Sequence, residues 1–507
     1  MKTSYIKYIG MPLLGLLMLG ACTEDNGNYT YNDLGKVTLE ITPDTIVMYG
    51  EDLTMKPRKD LYEGTSEAEY DWSWEIAPIA NGVVPEYREI ASTKEMNIPN
   101  FQEEIGAYNL RLSAIHRATG VRTMAYCNFK VDNGLSRIFL MLTRQAGGDY
   151  DLEAVTYPGG VSRFHQYSYM NGGATISDAR KLVYLNSFHR QDERLYILGS
   201  QKGQTISPVD LVYQGTTDDI FFEPASSYSI SHILMDREGR NEFVVSDGGI
   251  HFVDNIETPV KARVRCRLQD GTDYNITGVG EILHAGGRAS YAFYDELNGR
   301  LLEWNDGYGA KYIQPLTVTS SVINSAFDPQ AIDKKLFASI TGHESRLWML
   351  FEDKDNALWL YPFKDGGTAY YNVRVTPAAP PVKLDATTAT AFRNATAFCP
   401  VRTLTNKFYY AVDNTIWIYN ADTGRTEDTP LYTSPDPDMR FSKILYRERA
   451  TQEVTFAGNS HGQGTFFRVS VDNFGIQAEP TDEDPEPVKI YDGFGEIIDF
   501  VFKYKAY

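Results

Sequence analysis

Apolar and polar residues alternate along most of this chain, and a period of two is typical of β-strands that bury one face. The clearest case is the segment 106–114, in which every second residue is apolar. A turn at Gly120 follows, and the segment 123–131 then alternates in the same way. Residues 36–133 are therefore predicted to form a small β-sandwich that ends in a hairpin with one buried face.

From residue 134 onward a hairpin pattern repeats. Each copy has an apolar strand, a polar turn and a second apolar strand, as in 407–420 with its turn at Asp413 and Asn414. Such hairpins begin near residues 137, 181, 241, 289, 345, 406 and 452, with a mean step of about 53 residues.

This spacing leaves room for two further strands per copy, and four strands make one blade of a β-propeller. Residues 134–507 are therefore predicted to form a β-propeller with seven blades, which makes the whole chain all-β. Near its end, alternate positions of one segment are apolar or aromatic: Ile498, Phe500, Phe502 and Tyr504. This alternation predicts a last strand that pairs with the first blade and closes the ring.

The amino terminus has the pattern of a secretory signal. A start that contains lysine precedes an apolar stretch over residues 9–19, which is too short to span a membrane. The stretch ends in the run Leu19, Gly20, Ala21 and Cys22, which closely resembles the lipobox of bacterial lipoproteins. The resemblance implies that residues 1–21 are removed and that acyl chains on Cys22 anchor the protein.

Residues 22–35 are predicted to be a polar tether. Its two acids, Glu24 and Asp25, resemble the signal that sends lipoproteins of Bacteroidota to the outer face of the outer membrane. The resemblance implies a cell-surface location, with a periplasmic face as the alternative. No other stretch approaches 18 apolar residues, so membrane contact is expected through the anchor alone.

Composition narrows the function. The chain has 48 Lys and Arg residues against 67 Asp and Glu residues, a net charge of −19, which argues against nucleic-acid binding. Three cysteines remain after Cys22, namely Cys127, Cys266 and Cys399, and each is more than a hundred residues from the next. They are predicted to be buried free thiols, with metal ligation or a redox pair as the alternative.

No sequence motif for catalysis, metal binding or a cofactor is found, so no catalytic residue, metal ligand or cofactor is predicted. His343 and His461 lie in polar stretches, and loops of a propeller converge, so a catalytic pocket stays open as an alternative. The tryptophans of the repeats are predicted to pack between blades: Trp304, Trp348, Trp359 and Trp417. Tyrosines in less periodic stretches are the candidates for stacking on a ligand: Tyr308, Tyr312, Tyr370 and Tyr371.

Two segments of the first domain carry a family resemblance. The run of Gly, Tyr, Leu and Leu at alternate positions of 106–112, and the segment 70–74 with Trp72 and Trp74, resemble strands of PKD-type immunoglobulin-like domains. The resemblance implies a spacer or docking module. The alternative is a carbohydrate-binding face on which Trp72 or Trp74 stacks against a sugar.

Together, the lipobox, the PKD-type domain and the propeller resemble the PKD-like lipoproteins of Bacteroidota. The resemblance implies SusC/SusD-type outer-membrane importers as partners. It also implies a non-enzymatic accessory subunit that captures or presents an oligosaccharide or a peptide. The alternatives are a surface enzyme that acts on glycans or peptides at a propeller active site, and a structural or adhesive lipoprotein.

Overall fold

The computed structural model describes most of the chain after the tether: residues 37–41, 45–48, 52–79, 86–99, 101, 103, 105–187, 192–222, 228–235, 242–254, 261–283, 289–307, 310–343, 346–366, 374–401, 404–446, 452–482 and 484–504. These residues form two compact units, one that ends at Asp132 and one that begins at Asn133. Strands dominate both units and the helices are short, so the predicted all-β class is confirmed.

The first unit is built from β-strands and one 3₁₀ turn, Glu67–Glu69. Its strands within the described residues are β1 (Thr38–Glu40), β2 (Thr45–Met48), β3 (Leu53–Met55), β4 (Arg58–Asp60), β5 (Tyr70–Pro78), β6 (Arg88–Ala91), β7 (Met96–Ile98), β8 (Gly106–His116) and β9 (Arg122–Asp132). The main sheet has the order β2-β9-β8-β5-β6, with β2 parallel to β9 and the other pairs antiparallel. Two short pairs, β1 with β4 and β3 with β7, complete the unit.

The core of the first unit explains its strand pattern. The apolar positions of β8 and β9 are buried as predicted, and Leu110 and Leu112 are fully so. Trp72 and Trp74 lie two residues apart on β5, so both face the same side and both are buried in this core. The alternative that either of them stacks on a sugar is therefore wrong.

The second unit continues with β10 (Arg137–Arg144), β11 (Tyr150–Thr156), β12 (Ser162–Arg163), β13 (Lys181–Ser187), β14 (Asp192–Leu198), β15 (Gln204–Ile206), β16 (Tyr213–Thr216), β17 (Ile230–Met235), β18 (Glu242–Ser246), β19 (Gly249–Asp254), β20 (Lys261–Arg265), β21 (Ile276–Leu283), β22 (Ala289–Asp295), β23 (Arg300–Gly307), β24 (Ala310–Pro315), β25 (Lys335–Ile340), β26 (Gly342–His343), β27 (Arg346–Glu352), β28 (Leu358–Asp365), β29 (Val375–Pro377), β30 (Val382–Lys383), β31 (Ala397–Pro400), β32 (Lys407–Val412), β33 (Thr415–Asn420), β34 (Arg425–Thr426), β35 (Tyr432–Thr433), β36 (Arg440–Tyr446), β37 (Glu453–Ser460), β38 (Gln463–Ser470) and β39 (Val488–Tyr504). Its described helices are α1 (Gln166–Met170), α2 (Ser320–Ser325) and α3 (Ala386–Asn394), with a 3₁₀ turn at Thr217–Ile220.

All seven hairpins predicted from the repeat are present in the second unit. Each belongs to a four-stranded antiparallel meander, so the described residues contain seven meanders. Numbered along the chain, they are β39-β10-β11-β12, β13 to β16, β17 to β20, β21 to β24, β25-β27-β28-β29, β31 to β34, and β36 to β39. These four-stranded meanders make the unit propeller-like.

The long strand β39 belongs to the first and the last meander. Its first half pairs with β38 from Val488 to Gly495, and its second half pairs with β10 from Glu496 to Tyr504. Between the halves, Gly493 has φ +90°, a left-handed backbone that favours glycine, and the register shifts nearby. The predicted pairing of the last strand with the first hairpin is therefore confirmed.

Buried apolar residues lie between successive meanders. One hydrophobic cluster joins each of the first six meanders to the next, and a seventh cluster, which contains Phe139, Phe466 and Phe500, joins the last meander to the first. Every meander thus buries both faces against neighbours, which a single four-stranded sheet cannot do alone.

The predicted tryptophan positions differ in burial. Trp348 is buried, whereas Trp304, Trp359 and Trp417 are half-buried. Trp304 stacks on Phe252 of the preceding meander at 4.8 Å between ring centroids. Trp348 lies on a second strand, and the other three lie on third strands, so the four are not equivalent.

Candidate functional site

A cavity of about 470 Å³ opens on the second unit beside the fourth and fifth meanders. It is lined by Thr317, Val318, Thr319, Val322, Gly366, Arg374, Val375 and Thr376. Its volume falls within the range of about 300–1,000 Å³ that ligand sites usually have. We call it the Thr/Arg cavity.

Two chain segments build this cavity. The first follows β24, where the amide of Leu316 donates to the carbonyl of Leu301 at 2.9 Å and Thr319 is the N-cap residue of α2. The second is β29, which pairs antiparallel with the end of β28. Beside it, a Cβ on Gly366 would lie 2.8 Å from the Cβ of Thr376, so this wall has room only for glycine.

The Arg374 side chain is fixed at the cavity wall. Its Nε donates to Oε2 of Glu303 at 3.0 Å, and its Nη2 donates to Oε1 of Glu303 and to the carbonyl of Thr317. Glu303 is only 4% exposed, and it also accepts a 2.9 Å hydrogen bond from Nε2 of Gln314. A paired carboxylate held in this way fixes the plane of the guanidinium.

The arginine keeps hydrogen-bonding capacity for a ligand. Its side chain is 44% exposed, and within the described part of the chain its Nη1 has no hydrogen-bond acceptor. Thr317, Thr319 and Thr376, whose side chains carry hydroxyl groups, line the same cavity. Hydroxyl and guanidinium donors next to valine side chains can bind sugar hydroxyls or peptide carbonyl groups.

A second cavity, of about 220 Å³, lies between the fifth and sixth meanders. Its walls include Trp348, Leu360 and Pro362, with Asn406 and Asp422 at its rim. Nδ2 of Asn406 donates to Oδ2 of Asp422 at 2.8 Å, so these rim groups already pair with each other. The volume lies below the usual range for ligand sites, which makes the Thr/Arg cavity the better candidate.

The structure places the predicted ligand-binding tyrosines as follows. Tyr312 is half-buried on β24, opposite Asn305, and is not part of the cavity wall. Tyr308, Tyr370 and Tyr371 lie outside the described residues, so their role stays a prediction. The lipobox, Leu19, Gly20, Ala21 and Cys22, also lies outside the described residues.

The histidines of the catalytic alternative lie on different strands or turns. His461 occupies the turn between β37 and β38 with φ +52°, and its exposed ring lies 3.4 Å from Oδ2 of Asp438. The backbone of His343 pairs with β21 through Leu283. Within the described residues, no group of three or more His, Cys, Asp or Glu side chains is arranged to hold a metal ion. The described cysteines, Cys127, Cys266 and Cys399, form no disulfide with one another, and Cys127 and Cys399 are buried.

Sequence reasoning missed Arg374, Glu303 and the threonines. Arg374 is three residues from Tyr371, in the same aperiodic stretch that drew attention to the tyrosines. In the sequence, Arg374 is distinguished only by its position at the end of that stretch, directly before the short strand β29. Its partner Glu303 is 71 residues away along the chain.

Comparison with known proteins adds a family match for part of the chain. Residues 22–178 match the model of the PKD-like family. The match begins at Cys22 and reaches beyond the first unit, so the predicted PKD-like resemblance is confirmed for this part. No curated protein sequence matches the chain. None of the described helices has the length and apolar character that a membrane span requires.

Similar solved structures come from Bacteroides. A quinoprotein alcohol dehydrogenase-like protein of Bacteroides thetaiotaomicron is 12% identical with a TM-score of 0.38, covering 94% of this chain and 96% of that one. The extracellular domain of a protein described as a hybrid two-component system of the same species is 12% identical with a TM-score of 0.30, covering 78% and 63%. A protein described as a 6-phosphogluconolactonase of Bacteroides uniformis is 12% identical with a TM-score of 0.32, covering 71% and 95%. TM-scores this low do not establish a shared fold or activity.

Proposed function

We propose that this protein is a lipid-anchored, cell-surface binding subunit that serves a SusC/SusD-type importer of oligosaccharides or peptides. The lipobox supports the anchor, and the acidic pair Glu24 and Asp25 supports the surface location. The PKD-like match that begins at Cys22 supports the resemblance from which the importer was inferred. The observation that carries the binding role is the Thr/Arg cavity.

We also propose a finer architecture for the two units. The first is an immunoglobulin-like sandwich, and the second is a closed propeller in which the seven meanders are the blades. Hydrophobic clusters between all successive meanders, with β39 shared by the last and the first, support this assignment.

The cavity favours a ligand that offers several hydrogen-bonding groups. Arg374 cannot move freely because Glu303 holds two of its nitrogens, so its remaining donor has a fixed direction. A preorganised donor loses little conformational entropy on binding. Oligosaccharides and peptides both present oxygen acceptors at close spacing, which suits this donor and the three threonine hydroxyls.

Replacing cavity residues is expected to weaken binding. Arg374→Met removes a charged donor, and we expect affinity for the best ligand of a panel of neutral oligosaccharides and short peptides to fall at least about tenfold. Thr376→Val keeps the volume and removes one hydroxyl, and we expect a loss of about three- to tenfold. Isothermal titration calorimetry measures both, with the exposed Arg425→Met as the matched control that leaves affinity unchanged.

Arg374→Met leaves the buried Glu303 without its cation, which affects stability as well as binding. Thr376→Val does not disturb this pair, so it tests the cavity separately. If both cavity variants bind as tightly as the wild type while folded, the cavity is not the binding site.

The same panel, assayed for product release, tests the enzymatic alternative: turnover that the cavity variants abolish would replace the binding role. If no member of the panel binds the wild type, the structural or adhesive alternative is favoured.

A further inference from the structure

Three positive side chains and one histidine gather at three strands of the second unit. Arg180 precedes β13 and Lys181 begins it, His232 lies on β17, and Lys443 lies on β36. We call these four residues the basic cluster. Asp499 on β39 pairs with Lys443 of this cluster, and its charge also acts on Lys181. In a chain with net charge −19, a local excess of cations is unusual.

Asp499 is already engaged by other groups. It is 6% exposed, and its Oδ2 accepts a hydrogen bond from the amide of Leu182 at 2.8 Å. Its Oδ1 accepts from Nζ of Lys443 at 2.5 Å and from the amide of Phe500 at 2.9 Å. Lys443 also donates to the carbonyl of Phe500 at 2.7 Å. Among the described residues, Asp499 therefore pairs with Lys443, and neither Arg180 nor Lys181 has a carboxylate within salt-bridge distance.

Lys181 shows the consequence of this imbalance. Its ammonium has one long hydrogen bond, 3.5 Å to the carbonyl of Ser231, and no carboxylate within 4 Å among the described residues. Burial lowers the pKa of Lys181, Asp499 partly offsets this, and the charges of Lys443 and Arg180 lower the pKa further. The Lys181 side chain is nevertheless half-exposed, so a solvent-borne group can reach it.

His232 adds a neutral donor to the same place. Burial, with the nearby charges of Lys181 and Arg180, lowers the pKa of His232 to about 3. The ring is therefore neutral at physiological pH, and its Nδ1 lies 3.0 Å from Oγ of Ser231. A neutral imidazole retains one N–H, which can donate to a ligand oxygen.

Arg180 and Lys181 also have a structural role, but this role does not require both positive charges. Arg180 Nη2 donates to the carbonyl of Ile230 at 2.6 Å, so Arg180 and Lys181 both cap carbonyls at the free edge of β17. Ser231 is exposed, however, and water satisfies exposed carbonyls without any charge. Two cations at this edge therefore leave a surplus of positive charge that an anion would neutralise.

We propose that the basic cluster binds an oxyanion group of a ligand, with Lys181 and Arg180 as the charged donors and His232 as a neutral donor. The group has the chemistry of a carboxylate, sulfate or phosphate, as carried by an acidic sugar or by a free inorganic anion. This site lies on strands other than those of the Thr/Arg cavity, and the proposal does not depend on the function proposed for that cavity.

The test measures anion binding to the purified full chain at constant ionic strength. We expect D-glucuronate or sulfate to bind in calorimetry and to raise the melting temperature, whereas D-glucose does neither. Lys181→Met removes the charge at similar length and should weaken anion binding at least about tenfold. Lys181→Arg keeps the charge and should retain most of the affinity. Lys489→Met, which removes a half-exposed lysine that lies elsewhere on β39 and pairs with Asp484, is the matched control and should leave affinity unchanged.

Because Lys181 is partly buried, its variant could lose stability, so the exposed Arg180→Met provides a second variant whose anion affinity should also fall. Binding of glucuronate alone identifies an acidic sugar as the ligand class, and equal binding of sulfate and glucuronate identifies the oxyanion group itself. The proposal is overturned if neither anion binds, if glucose binds as well as glucuronate, or if Lys489→Met loses as much affinity as Lys181→Met.

Discussion

Replacing Phe500 by alanine is expected to lower the free energy of unfolding of the second unit by about 3–5 kcal/mol, because a fully buried aromatic side chain leaves a cavity. Phe500 lies in the half of β39 that pairs with β10 and is 0% exposed. Its ring packs edge-to-face on Phe466 of the last meander at 5.2 Å between centroids. The substitution therefore weakens the cluster that joins the last meander to the first.

The matched control is Phe474→Ala. Phe474 is 67% exposed, so this substitution makes the same chemical change at the surface. We expect it to alter stability by no more than about 0.5 kcal/mol. Calorimetric melting of the full chain measures both variants.

Deleting the chain from Glu496 onward should have a larger effect, namely aggregation or loss of the sharp transition, since it exposes the edge of β10. A soluble truncation with unchanged melting would show that closure by β39 is peripheral.

Removing the carboxylate of Glu242 is the second change with a large expected effect. Arg194 on β14 donates to both carboxylate oxygens of Glu242 on β18, at 2.6 and 2.7 Å. Glu242 is 2% exposed, so the pair is buried between the second and third meanders. We expect Glu242→Ala to cost about 3 kcal/mol, because it removes the buried carboxylate that pairs with a largely buried guanidinium.

An exposed pair gives the control for this prediction. Asp438 and the ring of His461 lie 3.4 Å apart with side chains 62% and 78% exposed. Asp438→Ala should cost less than about 1 kcal/mol, since water screens exposed pairs. Denaturant unfolding of the two variants measures the difference. Equal small losses would mean that the Arg194 and Glu242 pair does not couple the meanders.

The sequence predicted the parts of the fold whose residues alternate over six or more positions. The hairpins, such as the one at 407–420, and the final strand with Phe500 belong to this class. The outer strands β12 and β34 have two residues each, and no periodicity can arise over that length. The double role of β39 was not predictable either, because it depends on a kink at Gly493 within one alternating segment.

The candidate sites were much less predictable than the fold. Thr317 and Arg374 are 57 residues apart, and their segments meet because the fourth and fifth meanders pack against each other. The basic cluster spans Arg180 to Lys443, and each member is an ordinary residue within its own segment. The surplus of positive charge in the basic cluster arises because particular strand edges meet in the fold, so no local sequence motif predicts it.

The most direct test of the central claim is capture of the tagged protein from native outer membranes, with quantification of the proteins that accompany it. We expect the wild type to carry acyl chains on Cys22 and to co-purify in near one-to-one amount with a SusC-type barrel and its SusD-type lid. The unlipidated Cys22→Ala variant should be absent from the membrane fraction. Acyl-labelled Cys22→Ala protein, or wild-type protein that captures no more importer than an unrelated lipoprotein does, would contradict the account.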